Sequence, residues 1–132
     1  MNKKTCAFLL ALSVGLSATN ALAAPASNSK PVQCYKYSDK IPPGEAMPGE
    51  YKTILSYEVK CGTTMHIFTL RAQAGHRLPM NIEQLKGGAW VVIAREVYDP
   101  TVKYGSGQFR VKLDNIKGTK PVSYRGSFTV PL

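Results

Sequence analysis

Acidic residues are scarce in this chain. Asp and Glu number 8 against 17 Lys and Arg, giving a formal charge of +9 over 132 residues. Only two histidines are present, His66 and His76, and no CxxC occurs. Metal ligation and dithiol redox chemistry therefore have no motif to rest on, and no metal site or cofactor is expected. GxSxG, HExxH and paired-carboxylate motifs are also missing, which leaves hydrolytic catalysis without a signature. No apolar run reaches the roughly 18 residues of a spanning helix. There is no internal repeat and no long low-complexity segment. What remains is ordinary for a folded protein, 44% hydrophobic and 19% charged. That excludes collagen, a coiled coil and wholesale disorder. The length suits one domain, which buries roughly two-thirds of its chain surface.

The first residues read as an address. Lys3 and Lys4 precede an apolar run from Ala7 to Ala18, and Ala21-Leu22-Ala23 is a small-x-small cleavage pattern. This order predicts a bacterial signal peptide over residues 1–23, cut near Ala23. Cys6 would be lost with it. Ala24–Pro31 (APASNSKP) is small, polar and proline-bearing, and reads as a flexible leader. The product is expected in the periplasm or outside the cell, as one domain over 32–132. In that oxidising setting the two remaining cysteines, Cys34 and Cys61, are expected to form one disulfide.

The rest of the chain is patterned for strands. Val32–Tyr37 reads as a short first strand. Asp39–Glu50 (DKIPPGEAMPGE) holds three prolines and reads as a long loop. Tyr51, Thr53, Leu55, Tyr57 and Val59 share one parity, with Ile54 as the exception. Thr64–Ala72 carries apolar residues on both parities, as a central strand does. Arg77–Leu85 is weaker, with a short helix over Met80–Leu85 as one reading. Ala89–Tyr98 is the strongest strand. Phe109, Val111 and Leu113 alternate with polar residues, as do Val122, Tyr124, Phe128 and Val130. The expectation is an all-β fold: a small antiparallel sandwich or barrel of about six or seven strands, possibly with one short helix.

Five features are candidates for function. If Phe109–Leu113 and Val122–Val130 pair as a hairpin, Arg110, Lys112 and Arg125 share its outward face, with Lys117 and Lys120 in the connection. Asp114 is the only acid among them, so an acidic protein or an anionic polymer would be attracted. The proline-rich loop offers Ile41 and Met47 to a partner, pre-ordered by its prolines. His66 and His76 could cleave RNA if both rings met on one phosphate. Seven tyrosines among basic residues could stack bases, but the secretory leader argues against nucleic acid. Val122–Leu132 could be given to, or accept, a strand in an assembly. The reading that follows is a non-enzymatic binding module of the cell envelope, in the manner of an inhibitor or immunity protein. The alternatives are a structural subunit of an extracellular or secretion assembly, and a small ribonuclease or wall hydrolase.

Overall fold

The computed structural model describes Lys30 and residues 32–132. The expected signal peptide, and the expected leader apart from Lys30, lie outside the described residues. Eight strands follow one another: β1 (Lys36–Ala46), β2 (Glu50–Val59), β3 (Thr64–Ala72), β4 (Met80–Lys86), β5 (Ala89–Val97), β6 (Thr101–Tyr104), β7 (Gly107–Asn115) and β8 (Val122–Pro131). They form two four-stranded sheets, ordered β1-β8-β3-β6 and β2-β7-β4-β5. All pairings are antiparallel. First pairs with last, second with seventh, third with sixth and fourth with fifth. The chain is thus one long antiparallel ribbon, rolled so that successive pairs fall in opposite sheets. That is the connectivity of a jelly roll.

The all-β sandwich is as the alternation predicts, with eight strands instead of six or seven and no helix among the described residues. Met80–Leu85, the helix reading, is most of β4. β4 lies between β7 and β5, so both its backbone edges are taken by ladder hydrogen bonds. The Asp39–Glu50 loop is also corrected, because most of it is β1. Pairing holds from Lys36 to Ile41, skips Pro42 and Pro43, and resumes at Gly44. The prolines have no N–H to give, and a bulge on an edge strand is where a sheet tolerates them. The Ile54 exception is a bulge too, where the β2 register shifts between Thr53 and Leu55. Leu55, Tyr57 and Val59 point inward beyond it, whereas Tyr51 and Thr53 before it are exposed.

The core lies between the sheets. Phe68 and Leu70 of β3, Phe109, Val111 and Leu113 of β7, and Met80 and Ile82 of β4 are fully buried. Val130 of β8 and Ile41 of β1 complete it on the same side as β3. Gly126 of β8 is required there. A Cβ at that position would stand 2.2 Å from the Thr69 carbonyl oxygen. Asn115 ties two connections to the body: its Nδ2 donates to the carbonyls of Ala46, Met47 and Lys120 at 3.1, 2.9 and 3.1 Å. The disulfide joins Cys34, just before β1, to Cys61, just after β2, with Cα atoms 5.2 Å apart. Next to it, Tyr35 and Leu132 exchange two backbone hydrogen bonds that hold Leu132 against the segment just before β1.

Candidate functional site

The expected three-residue basic face does not assemble. β7 and β8 belong to different sheets and form no hairpin. Arg110 and Lys112 lie on the outer face of one sheet and Arg125 on the outer face of the other. The first two also share one carboxylate. Glu83 of β4 lies opposite Arg110 in register and pairs with its guanidinium, while Lys112 Nζ is 3.4 Å from the other carboxylate oxygen. Arg110 further lies over the Trp90 ring, 4.3 Å from its centroid, a cation–π contact. These groups form a half-buried structural cluster. The sequence hides it, because Glu83 is far from Arg110 along the chain.

The loop candidates also separate. Ile41 is 1% exposed and packs in the core instead of standing out from a loop. The bulge that follows it turns the chain and leaves Ile41 on the inward parity of β1. Met47 is 53% exposed, in the tight turn from β1 to β2. The histidines do not converge. His66 is fully buried near the start of β3, and His76 is exposed beyond its end. His66 Nδ1 is 2.8 Å from the Tyr57 hydroxyl, and the ring is walled by Tyr57, Tyr104 and Phe109. Its Nε2 has no hydrogen-bond partner among the described residues. Burial lowers its pKa to about 4, so it is a neutral core residue at physiological pH. Val122–Leu132 is chiefly β8, flanked by β1 and β3 on its two sides, and has no free edge to offer. Among the described residues no helix is long and apolar enough to cross a membrane.

The outer face of the β1-β8-β3-β6 sheet carries a different cluster, built around Arg125. Alternation buries Tyr124, Phe128 and Val130 of β8 and turns Ser123, Arg125, Ser127 and Thr129 outward. The register then sets their neighbours. Arg125 lies directly opposite Arg71 of β3. Ser127 lies between Lys40 of β1 and Thr69 of β3, and Thr129 between Ser38 and Ile67. Ile67 is followed across the sheet by Thr101 of β6. The hydroxyls pair off: Ser38 with Thr129 at 2.7 Å, Thr69 with Ser127 at 2.8 Å. The face is thus a strip of hydroxyls with a cluster of cations at the Arg125 end.

The electrostatics of that cluster are unbalanced. Like charges directly opposite on neighbouring strands repel. Arg71 is relieved by Asp99, which also forms an ion pair with Arg77, whose Nε lies 3.2 Å from its second carboxylate oxygen. The Arg71 hydrogen bond holds the Asp99 carboxyl below the usual carboxylate range. Arg125 and Lys40 form no salt bridge with any described residue. A shallow depression of about 470 Å³ opens beside them, lined by Lys40, Pro43, Arg71, Arg125 and Ser127 with Ile41 at its floor. Arg125 and Pro43 also border a second depression of about 380 Å³, with Gln73, Ser123 and Tyr124. The bulge at Pro42–Pro43 shapes both.

Of the cations of this site the sequence indicates only Arg125. Lys40 is hidden by the loop-like prolines beside it. Arg71 and Thr69 sit in a strand whose apolar residues on both parities mask its outer side. No protein-family model matches this sequence, and a search of curated proteins finds no significant match.

Proposed function

We propose that this protein is a non-enzymatic binding module, exported to the periplasm or beyond, that holds an anionic partner on the outer face of the β1-β8-β3-β6 sheet. One observation carries the reading. Arg125 lies opposite Arg71 and near Lys40 around a single depression, and of these three cations Asp99 pairs with Arg71 alone. Two unpaired cations held together by a rigid sheet cost stability. An anion entering the depression would turn that repulsion into attraction and form charge-assisted hydrogen bonds. Arginine offers a planar fork suited to carboxylate, sulfate or phosphate oxygens.

The test compares two charge-reversed pairs. Lys40→Glu/Arg125→Glu alters the proposed site; Arg110→Glu/Lys112→Glu alters the opposite sheet. Binding to immobilised dextran sulfate and poly-L-glutamate is measured at low and moderate salt. The wild type is expected to bind and to weaken as salt screens the charges. The first variant should lose at least about tenfold in affinity, equivalent to about 1.4 kcal/mol. Equal affinity for the wild type and the Lys40/Arg125 variant would remove the site assignment.

A further inference from the structure

We infer that the ligand of this face is an acidic polysaccharide. The inference rests on the anion-binding reading above and adds the class of molecule that carries the charge.

The chemistry at the centre of the face decides between polymers. Protein interfaces draw their binding energy from buried Trp, Tyr and Arg anchors, and serine and threonine are under-represented among them. Here the centre is Ser38, Thr129, Thr69 and Ser127; the exposed Trp90 and Tyr51 belong to the other sheet, and Tyr37 of β1 is on the opposite parity from Ser38, its ring against Phe128. Each hydroxyl has one proton and two lone pairs. Within a hydroxyl pair only one proton is used, so the pair still offers one donor and several acceptors to solvent. A chain of sugar hydroxyls both donates and accepts, and it complements such a surface. Carboxylates of an acidic protein accept only, and would leave the acceptors of the strip unmatched.

The length of the strip points to a polymer. Arg125 and Arg71 occupy its first row, and Lys40, Ser127 and Thr69 the second. Ser38, Thr129, Ile67 and Thr101 form the third. Lys36, opposite Pro131, and Lys103, opposite Met65, flank the last, where Pro131 itself is buried. Rows are two residues apart, so the strip runs about 20 Å from one set of cations to the other. That spans several sugar units, with charge read at both ends and hydroxyls between. The 470 Å³ depression at Arg125 falls within the range of small-ligand sites and would take one charged unit.

The experiment titrates the disulfide-intact protein with dextran sulfate, polygalacturonate, poly-L-glutamate and neutral dextran, and repeats it with Ser38→Ala/Ser127→Ala. Both acidic glycans are expected to bind at least about tenfold tighter than polyglutamate of matched charge, and neutral dextran far more weakly than either. The double variant should lose about tenfold for the glycans and keep its affinity for polyglutamate. The wild-type comparison stands even if the variant folds poorly, which its thermal midpoint reports. Equal affinity for glycan and polyglutamate overturns the polysaccharide inference and keeps the anion reading, pointing instead to an acidic protein. Binding to none of the charged polymers overturns the anion reading itself.

Discussion

Arg71 and Arg125 lie directly opposite each other on β3 and β8, and Asp99 holds the first of them. The pair is a like-charge contact with compensation on one side only. Arg125→Gln should therefore raise stability by a few tenths to about 1 kcal/mol, read from the urea midpoint. Asp99→Asn should lower it by roughly 1–2 kcal/mol, because Arg71 and Arg77 then lack their carboxylate. A neutral result for both would show that the repulsion is fully screened by solvent.

Glu83 makes the opposite sheet a matter of folding. Its carboxylate serves Arg110 and Lys112 together in a half-buried setting. Glu83→Gln is expected to destabilise by roughly 2 kcal/mol, since both cations lose their partner. Polyanion binding by the folded fraction should be unchanged. A variant that keeps its stability but loses binding would move the functional face to this sheet.

His66 makes the fold sensitive to acid. Its pKa in the folded protein is lowered to about 4 from 6.5. Below pH 6.5 the unfolded chain takes up a proton that the folded chain refuses. Stability is thus fully present above 6.5 and falls as pH drops toward 4. The loss approaches roughly 3 kcal/mol, at about 1.4 kcal/mol per pKa unit. His66→Gln should flatten this part of the stability–pH curve, measured by urea unfolding at several pH values. An equally steep curve in the variant would assign the acid sensitivity to other groups, of which Asp99 is one. Its lowered pKa places its own loss at lower pH, as pH falls through the carboxylate range.

Gly126 tests the packing of β8. Any side chain there meets the Thr69 carbonyl oxygen at 2.2 Å, with the Ile41 and Leu70 methyls a little over 3 Å away. Main chain cannot swing aside as a side chain can. Gly126→Ala should cost about 3 kcal/mol or more, seen as a lowered thermal midpoint or loss of soluble protein. A small effect would mean that β8 and β3 separate more easily than their register implies.

The Cys34–Cys61 bridge closes the loop that contains β1 and β2. The chain-entropy model values such a loop at about 3.5 kcal/mol. Cys34→Ser/Cys61→Ser should show that loss in denaturant unfolding, and reduction of the native protein should match it. Because Lys40 and the Pro42–Pro43 bulge lie within the loop, polyanion affinity should fall along with stability as β1 loosens.

Much of this was legible in the residues alone. Period-two alternation in Gln108–Leu113 and Val122–Val130 fixes which side of each strand meets the core, because burying one face of a pleated strand selects every second residue. The same alternation put Ser123, Arg125, Ser127 and Thr129 on one outward face, and the only two cysteines outside the expected signal peptide could close one loop. Alternation carries no information about which strand lies alongside. That choice depends on how the whole ribbon rolls, and it sent β7 and β8 to different sheets. Glu83 therefore meets Arg110 and Lys112, and Arg71 and Lys40 come up beside Arg125. Lys40 was concealed further by Pro42 and Pro43, which read locally as loop and which a bulge admits to a strand edge. The inward and outward sides of each strand were local facts. The charged neighbours of each cation were settled only when distant strands came into register.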